Sequence, residues 1–224
     1  MSFLGHLEEL RWRLVKSAIG IVVVAVAIFI YTEWIIDNLY LSMTKTDFIT
    51  YDLFCRFGHL TGFEETMCID KINFEKFIYT EVTGQFNSNM YIAIVGGIIV
   101  AFPWIFWQLW SFVRPALRER ELKVSKGVMF WASLLFFFGV GFGYFIISPL
   151  CIQFFGNYQM HPDFHTTPVG SSLINIITTT TLLSGIFFEL PIIIYIGTKL
   201  GLLSPEILRK YRRHAFVIIL LLSA

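Results

Sequence analysis

The residue whose type and setting point most directly to chemistry is Glu189. It stands in Ile186-Phe187-Phe188-Glu189-Leu190-Pro191-Ile192-Ile193-Ile194, and is the only charged residue between Pro168 and Thr198. An ionisable side chain at the centre of a bilayer costs roughly 2.5 kcal/mol or more, so it is kept where it faces a cavity, a pathway or a partner. Thr178, Thr179, Thr180, Thr181 and Ser184 add hydroxyls upstream, and Pro191 frees a backbone carbonyl near position 187. The pattern predicts a polar, hydrated break in the membrane. The structural alternative is a protonated Glu189 bonded to a neighbouring helix.

Three further acids sit among basic residues. Glu119 and Glu121 lie in Arg114-Pro115-Ala116-Leu117-Arg118-Glu119-Arg120-Glu121-Leu122-Lys123. Glu119 has Lys123 four residues on, an ordinary helical pair. Glu121 faces Ser125 at that spacing and has only Arg118 three residues back. A surface carboxylate short of an intramolecular partner can receive a guanidinium from another chain, often through two parallel hydrogen bonds. Incidental acids in a basic loop are the alternative. Glu9 belongs to an N-terminal segment in which Phe3, Leu7, Leu10 and Leu14 share one helical face and the opposite face is charged. That segment reads as an interfacial helix over 1–16, with Glu9 and Arg13 as an i,i+4 pair.

Other chemistries fall away. His6, His59, His161, His165 and His214 all lie away from the span centres, so no facing pair can ligate haem. No Cys/His cluster has zinc spacing, there is no phosphate-binding or dinucleotide fingerprint, and no nucleophile–base pair emerges from spacing. Catalytic residues, metals and cofactors are therefore expected to be absent. Cys55 and Cys68 share one long connection whose external placement predicts a disulfide. Two free thiols are the alternative that spacing leaves open. Cys151 reads as a packing residue.

The elements that must position these residues follow from composition. The 224 residues are 56% hydrophobic and only 15% charged, with mean hydropathy +0.68. A soluble domain is about 25% charged, and disordered chains are poor in apolar residues. A net charge of +1 argues against a nucleic-acid partner. An all-α polytopic membrane protein remains. Since about 20 apolar residues cross a bilayer, spans are expected within 17–32, 86–113, 127–153 and 168–198, with 33–85 as an ordered external cap. A fifth span begins at Ala215 and is cut by the chain end at Ala224, which reads as truncation. Glu8 and Glu9 stand where a cleaved signal peptide would be basic, so the first span is retained.

Lys and Arg are polarised. Thirteen fall in the N-terminal segment, the 114–126 gap and the segment after span four, against four on the other side. The positive side is expected to be cytoplasmic, with the N-terminus inside. Counting acids as well, the inner side nets +8 and the outer side −6, with Glu189 alone in the membrane. Tryptophans 104, 107 and 110 are expected to form an interfacial belt, Pro103 a kink or tilt, and Gly139 and Gly143 a close helix contact.

Four runs of residues, in this order, resemble the TatC family. They are His6-Leu7-Glu8-Glu9-Leu10-Arg11; Gln108-Leu109-Trp110-Ser111-Phe112-Val113-Arg114-Pro115-Ala116-Leu117 with Glu121 beyond it; Phe188-Glu189-Leu190-Pro191; and Ser204-Pro205-Glu206-Ile207-Leu208-Arg209-Lys210. TatC is the multispanning receptor subunit of the twin-arginine protein translocase. The resemblance implies six spans, a cup-shaped fold with a hydrated groove, and both termini in the cytoplasm of a bacterium, the protein lying in its inner membrane. It implies binding of twin-arginine signal peptides of folded exported proteins, TatA- and TatB-type single-span partners, self-association and use of the proton-motive force. By matching position, Glu9 and Glu121 would receive the signal-peptide arginines, Phe112 and Leu117 would supply apolar contacts, and Arg11 would share that surface. Glu189 matches the family's intramembrane acid. The chain departs from the family in ending before the sixth span, in lacking a proline in Leu41-Ser42-Met43-Thr44, and in its long Cys55–Cys68 segment. A proton- or ion-coupled solute transporter using Glu189 is the alternative function, which predicts a second broken helix in the other half.

Overall fold

A computed structural model of the chain describes residues 3–45, 48–61, 77–113, 119–158, 161 and 169–199. The expected fifth span at 215–224, Leu117 and Cys68 lie outside these residues. Helices are α1 (Phe3–Ile30), α2 (Thr32–Ile35), α3 (Ile49–Thr61), α4 (Gly84–Val113), α5 (Glu119–Phe142), α6 (Ser148–Asn157) and α7 (Gly170–Lys199). A π-helical turn at Gly143–Ile147 joins α5 to α6, so the two form one long rod. The only β feature among the described residues is an isolated bridge between Ile78 and Val169.

Among the described residues, four stretches are long and apolar enough to cross a membrane: Leu7–Ile30, Gly84–Val113, Gly127–Gly156 and Gly170–Thr198, with mean hydropathy between 1.7 and 2.3. The expected N-terminal helix leads directly into the first span: α1 runs from Phe3 to Ile30 without interruption. Side-chain bonds cross that point: Arg13 donates to Glu9, and Ser17 Oγ donates to the Arg13 carbonyl at 3.0 Å. No proline stands in this stretch to break the ladder.

Close approach of backbones sets the packing. On α4, a Cβ added at Gly97 would lie 3.0 Å from Ala25 Cβ and 3.1 Å from the Ile21 carbonyl oxygen of α1. Further along, Trp104 Nε1 donates to the Lys16 carbonyl at 3.2 Å, so the two helices run antiparallel. The α5–α7 pair is built the same way. An added Cβ at Gly139 would come within 2.9 Å of the Ser184 carbonyl oxygen, and one at Gly143 within 2.9 Å of Thr181 Cα. The expected Gly139/Gly143 contact is thus present, because only a hydrogen side chain fits against the facing backbone. Phe136 closes the α4–α5–α7 junction, stacked on Phe102 with centroids 3.6 Å apart.

The tryptophan belt is only partly as expected. Trp104 and Trp107 are exposed, but Trp110 is buried. Its ring stacks on Phe106, one turn away on the inward face of α4. At the other end of the spans, Tyr40, Met43 and Phe48 pack on Ile92, Ile152, Leu173, Ile174 and Ile177 as one apolar core. The described part of the connection is therefore a packed cap, tied down by Thr50 Oγ1 to the Phe145 carbonyl and Tyr51 Oη to the Met43 carbonyl.

Candidate functional site

Threonines 178 to 181 point around the whole circumference of α7, because successive residues of a helix turn by about a quarter of its circuit. Each therefore meets a different neighbour. Thr178 Oγ1 and Tyr40 Oη of the cap are 2.7 Å apart. Thr179 Oγ1 and Tyr91 Oη of α4 are 2.8 Å apart. Thr180 Oγ1 and Ser148 Oγ of α6 are 2.7 Å apart, and Ser148 also donates to the Gly143 carbonyl at 2.9 Å. The Gly143 carbonyl thus accepts twice from Ser148, from its hydroxyl and from its backbone N–H across the π turn. Burial pushes the Tyr40 phenol up to about 12, so it stays protonated and available for its bond to Thr178.

Thr181 differs from its three neighbours. It is buried, and its hydroxyl has no hydrogen-bond partner among the described residues. It lines a cavity of about 470 Å3 that is open on one side, with further walls from Ile28 of α1, Gly96 and Val100 of α4, and Phe137 and Gly141 of α5. The lining is almost entirely apolar.

Glu189 lies two turns further along α7. It is only 4% exposed, and neither carboxylate oxygen has a hydrogen-bond partner among the described residues. α7 continues through Pro191 to Lys199. Proline removes one bond from the ladder, and packing against neighbouring helices holds the rest. Glu189 is not among the residues lining the cavity. A buried acid without a bond carries a desolvation cost of several kcal/mol if ionised.

Glu9, Arg11, Phe112 and the backbone of Glu121 gather at the opposite end from the cap. Antiparallel packing places the start of α1, the end of α4 and the start of α5 on one side. Glu9 and Arg13 form the expected pair, with guanidinium and carboxylate 2.5 Å apart and both side chains partly exposed. Arg11 is exposed on the same helix. Phe112 is half-buried near the end of α4. The backbone of Glu121 lies in the first turn of α5, and its side chain is outside what is described. Cys55 is disulfide-bonded and Cys151 is free. Among the described residues no group of His, Cys, Asp and Glu is placed to hold a metal ion. Sequence reasoning missed Tyr40, Tyr91 and Ser148 as the partners of the threonines. The available signal was the phenol itself, since a buried tyrosine hydroxyl finds a partner.

Four apolar spans tied by glycine contacts, with one acid buried between them, define a multi-pass helical membrane protein. The comparisons narrow the class. The family model described as "Sec-independent protein translocase protein (TatC)" matches residues 5–224. The TatC of Blattabacterium sp. subsp. Periplaneta americana is 35% identical, with all of this chain covering 84% of that protein. TatCy of Bacillus subtilis is 29% identical, with coverage of 100% and 78%. A crystal structure of the twin-arginine translocase receptor TatC in DDM superposes with a TM-score of 0.74 at 26% identity, over 95% of this chain and 84% of that one. The chain belongs to the TatC family, and is a membrane component of a Sec-independent protein translocase.

Proposed function

We propose that the chain is the receptor of its translocase and binds the twin-arginine signal peptides of folded proteins. The site lies at the end of the molecule where α1 and α5 begin. The observation that carries this reading is the placement of Glu9 and the Glu121 backbone at that same end, together with Arg11, Arg13 and Lys16 of α1 and the backbones of Arg120, Lys123 and Lys126 of α5. Arg11 shares that surface, and Phe112 and Leu117 supply apolar contacts beside the acids. Two guanidiniums need carboxylates in fixed geometry, which the rounder ammonium of lysine does not match. Acids set in a basic surface also repel ordinary basic peptides. On this reading the site faces the cytoplasm, the N-terminus is inside, and the protein lies in the inner membrane of a bacterium with TatA- and TatB-type single-span subunits and further copies of itself. Glu189 couples transport to the proton-motive force through its change of charge. The Cys55–Cys68 bond closes the cap on the oxidising side.

Crosslinking of the full chain in membranes to a signal peptide tests the site. An Arg-Arg peptide is expected to label strongly, and its Lys-Lys counterpart and the Glu121→Ala chain weakly. Equal labelling in all three cases overturns the assignment. Binding is also expected to weaken as salt rises, because the pairs are near the surface.

A further inference from the structure

The cap turns one helix outward, and that helix is α3. Its side chains fall into three faces, because each residue turns by about 100°. Thr50, Tyr51 and Phe54 point inward: Thr50 is buried and the other two are half-buried. Asp52, Arg56 and His59 form an exposed polar stripe, with the Arg56 guanidinium 2.9 Å from the Asp52 carboxylate. An apolar stripe runs beside it. Ile49 is 71% exposed and Leu53 51% exposed. Phe57 and Leu60 continue the same register in the sequence. Charged residues along one exposed stripe and bare aliphatic residues along the next make the pattern of a helix at a boundary between water and lipid.

Depth puts that boundary at α3. The stack of Phe102 on Phe136 sets α4 and α5 level with each other. Trp107 lies five residues beyond Phe102, and Trp131 five residues before Phe136, both toward the end away from the cap. Both are exposed, and so mark one membrane interface at a common level. Phe145 is fourteen residues past Trp131, or ~21 Å along the rod. The hydrocarbon layer is about 30 Å thick, which leaves Phe145 ~9 Å inside the far boundary. Thr50 Oγ1 donates to the Phe145 carbonyl, and Phe48 stacks on the Phe145 ring. The start of α3 is therefore held at that depth, next to a ring that is itself 46% exposed. Amphipathic helices seat their apolar face ~5–10 Å into the layer between head groups and acyl chains, which is the depth found here. The charges of Asp52 and Arg56 offset each other, so burial of the apolar stripe drives the contact and attraction to a charged partner does not.

We propose that α3 is an interfacial helix docked on the lipid surface: Ile49 and Leu53 insert among the acyl chains of the leaflet on the cap side, and Asp52, Arg56 and His59 stay in the hydrated head-group layer. The cap is then seated on the bilayer as well as on the spans. The proposal goes beyond the receptor reading and does not depend on it.

The test uses the full chain in phosphatidylcholine vesicles, with Cys151→Ser removing the free thiol. Ile49→Cys, Leu53→Cys and Asp52→Cys are spin-labelled one at a time. Each label is probed by collision with oxygen, which concentrates in hydrocarbon, and with a water-soluble nickel chelate. The oxygen-to-nickel ratio is expected to be severalfold higher at 49 and 53 than at 52. A ratio at 49 and 53 as low as at 52 puts the stripe in water and overturns the proposal. So does exclusion of both reagents with dipolar broadening between labels on separate chains, which makes a second copy the occupant. Leu53→Glu is expected to keep its unfolding temperature in detergent, since the side chain is exposed, and to lower the ratio at a label on Ile49→Cys severalfold in vesicles. If that variant does not fold, Leu53→Ser takes its place. An unchanged ratio at 49 means that the two residues do not insert as one face, and the proposal fails. Adding phosphatidylglycerol to the vesicles should leave every ratio as it was. Insertion confined to the anionic vesicles makes head-group charge the ligand and overturns the apolar seating.

Discussion

Glu189 and Glu9 are both acids in a basic, apolar chain, and their surroundings give them opposite properties. Glu189 is buried with neither oxygen bonded among the described residues. Replacing such a group by leucine removes a desolvation cost of about 1–3 kcal/mol. Glu189→Leu is therefore expected to raise the unfolding temperature in detergent while export by the assembled translocase falls. A stabilised variant with normal export would make Glu189 a relic without function. Glu9 is partly exposed and paired with Arg13. The pair is worth only about 0.2–0.5 kcal/mol to the helix. Arg13 thus competes with any incoming guanidinium for the same carboxylate. Arg13→Ala is expected to leave stability nearly unchanged and tighten twin-arginine peptide binding, while Glu9→Ala weakens it. Titration with a labelled peptide checks both directions.

At the scale of elements, three glycines two residues apart, Gly139 and Gly141 on α5 and Gly143 at the start of the π turn, perform different tasks. Enlarging Gly139 or Gly143 forces the new side chain into α7 backbone, and such overpacking costs about 1–3 kcal/mol. Gly141→Ala meets open space and is expected to be neutral or to stabilise by up to about 1 kcal/mol. Thermal unfolding of the three alanine variants should separate the middle one from its flanks. The sequence made the small-xxx-small spacing of 139 and 143 visible, but it could not say which helix faced them. The threonine run shows the same limit. Its hydroxyls were legible as a polar stretch, yet their division among Tyr40, Tyr91 and Ser148 depends on elements 32 to 138 residues away in sequence. A double-mutant cycle of Tyr40→Phe with Thr178→Val is expected to give about 1 kcal/mol of coupling.

Across the whole molecule, the cap and the spans fold as one unit, and pH reports on their joint. Burial raises the phenols of Tyr40 and Tyr51 from 10 to about 12. A raised folded value means that the folded state favours the protonated phenol. Their contribution is then complete below about pH 10 and is lost as pH rises through 12. Stability is expected to be insensitive to these groups at neutral pH and to fall at alkaline pH, and Tyr40→Phe with Tyr51→Phe should flatten that fall. What the sequence determined by itself was the solvent of the protein. Spans follow from uncharged length, a local sum over residues, and the placement of Lys and Arg gives an expected sidedness in the same way. It also isolated Glu189, because an acid in an apolar run is visible without knowing its neighbours. Only the tertiary structure decided that α1 is one helix from the surface segment through the span, that Pro191 leaves α7 unbroken, and that Trp110 turns inward. It alone separated Gly141 and Thr181 from residues of the same type beside them. Partnership is a property of what packs across a helix face, and a single chain's pattern carries no record of which face meets which neighbour.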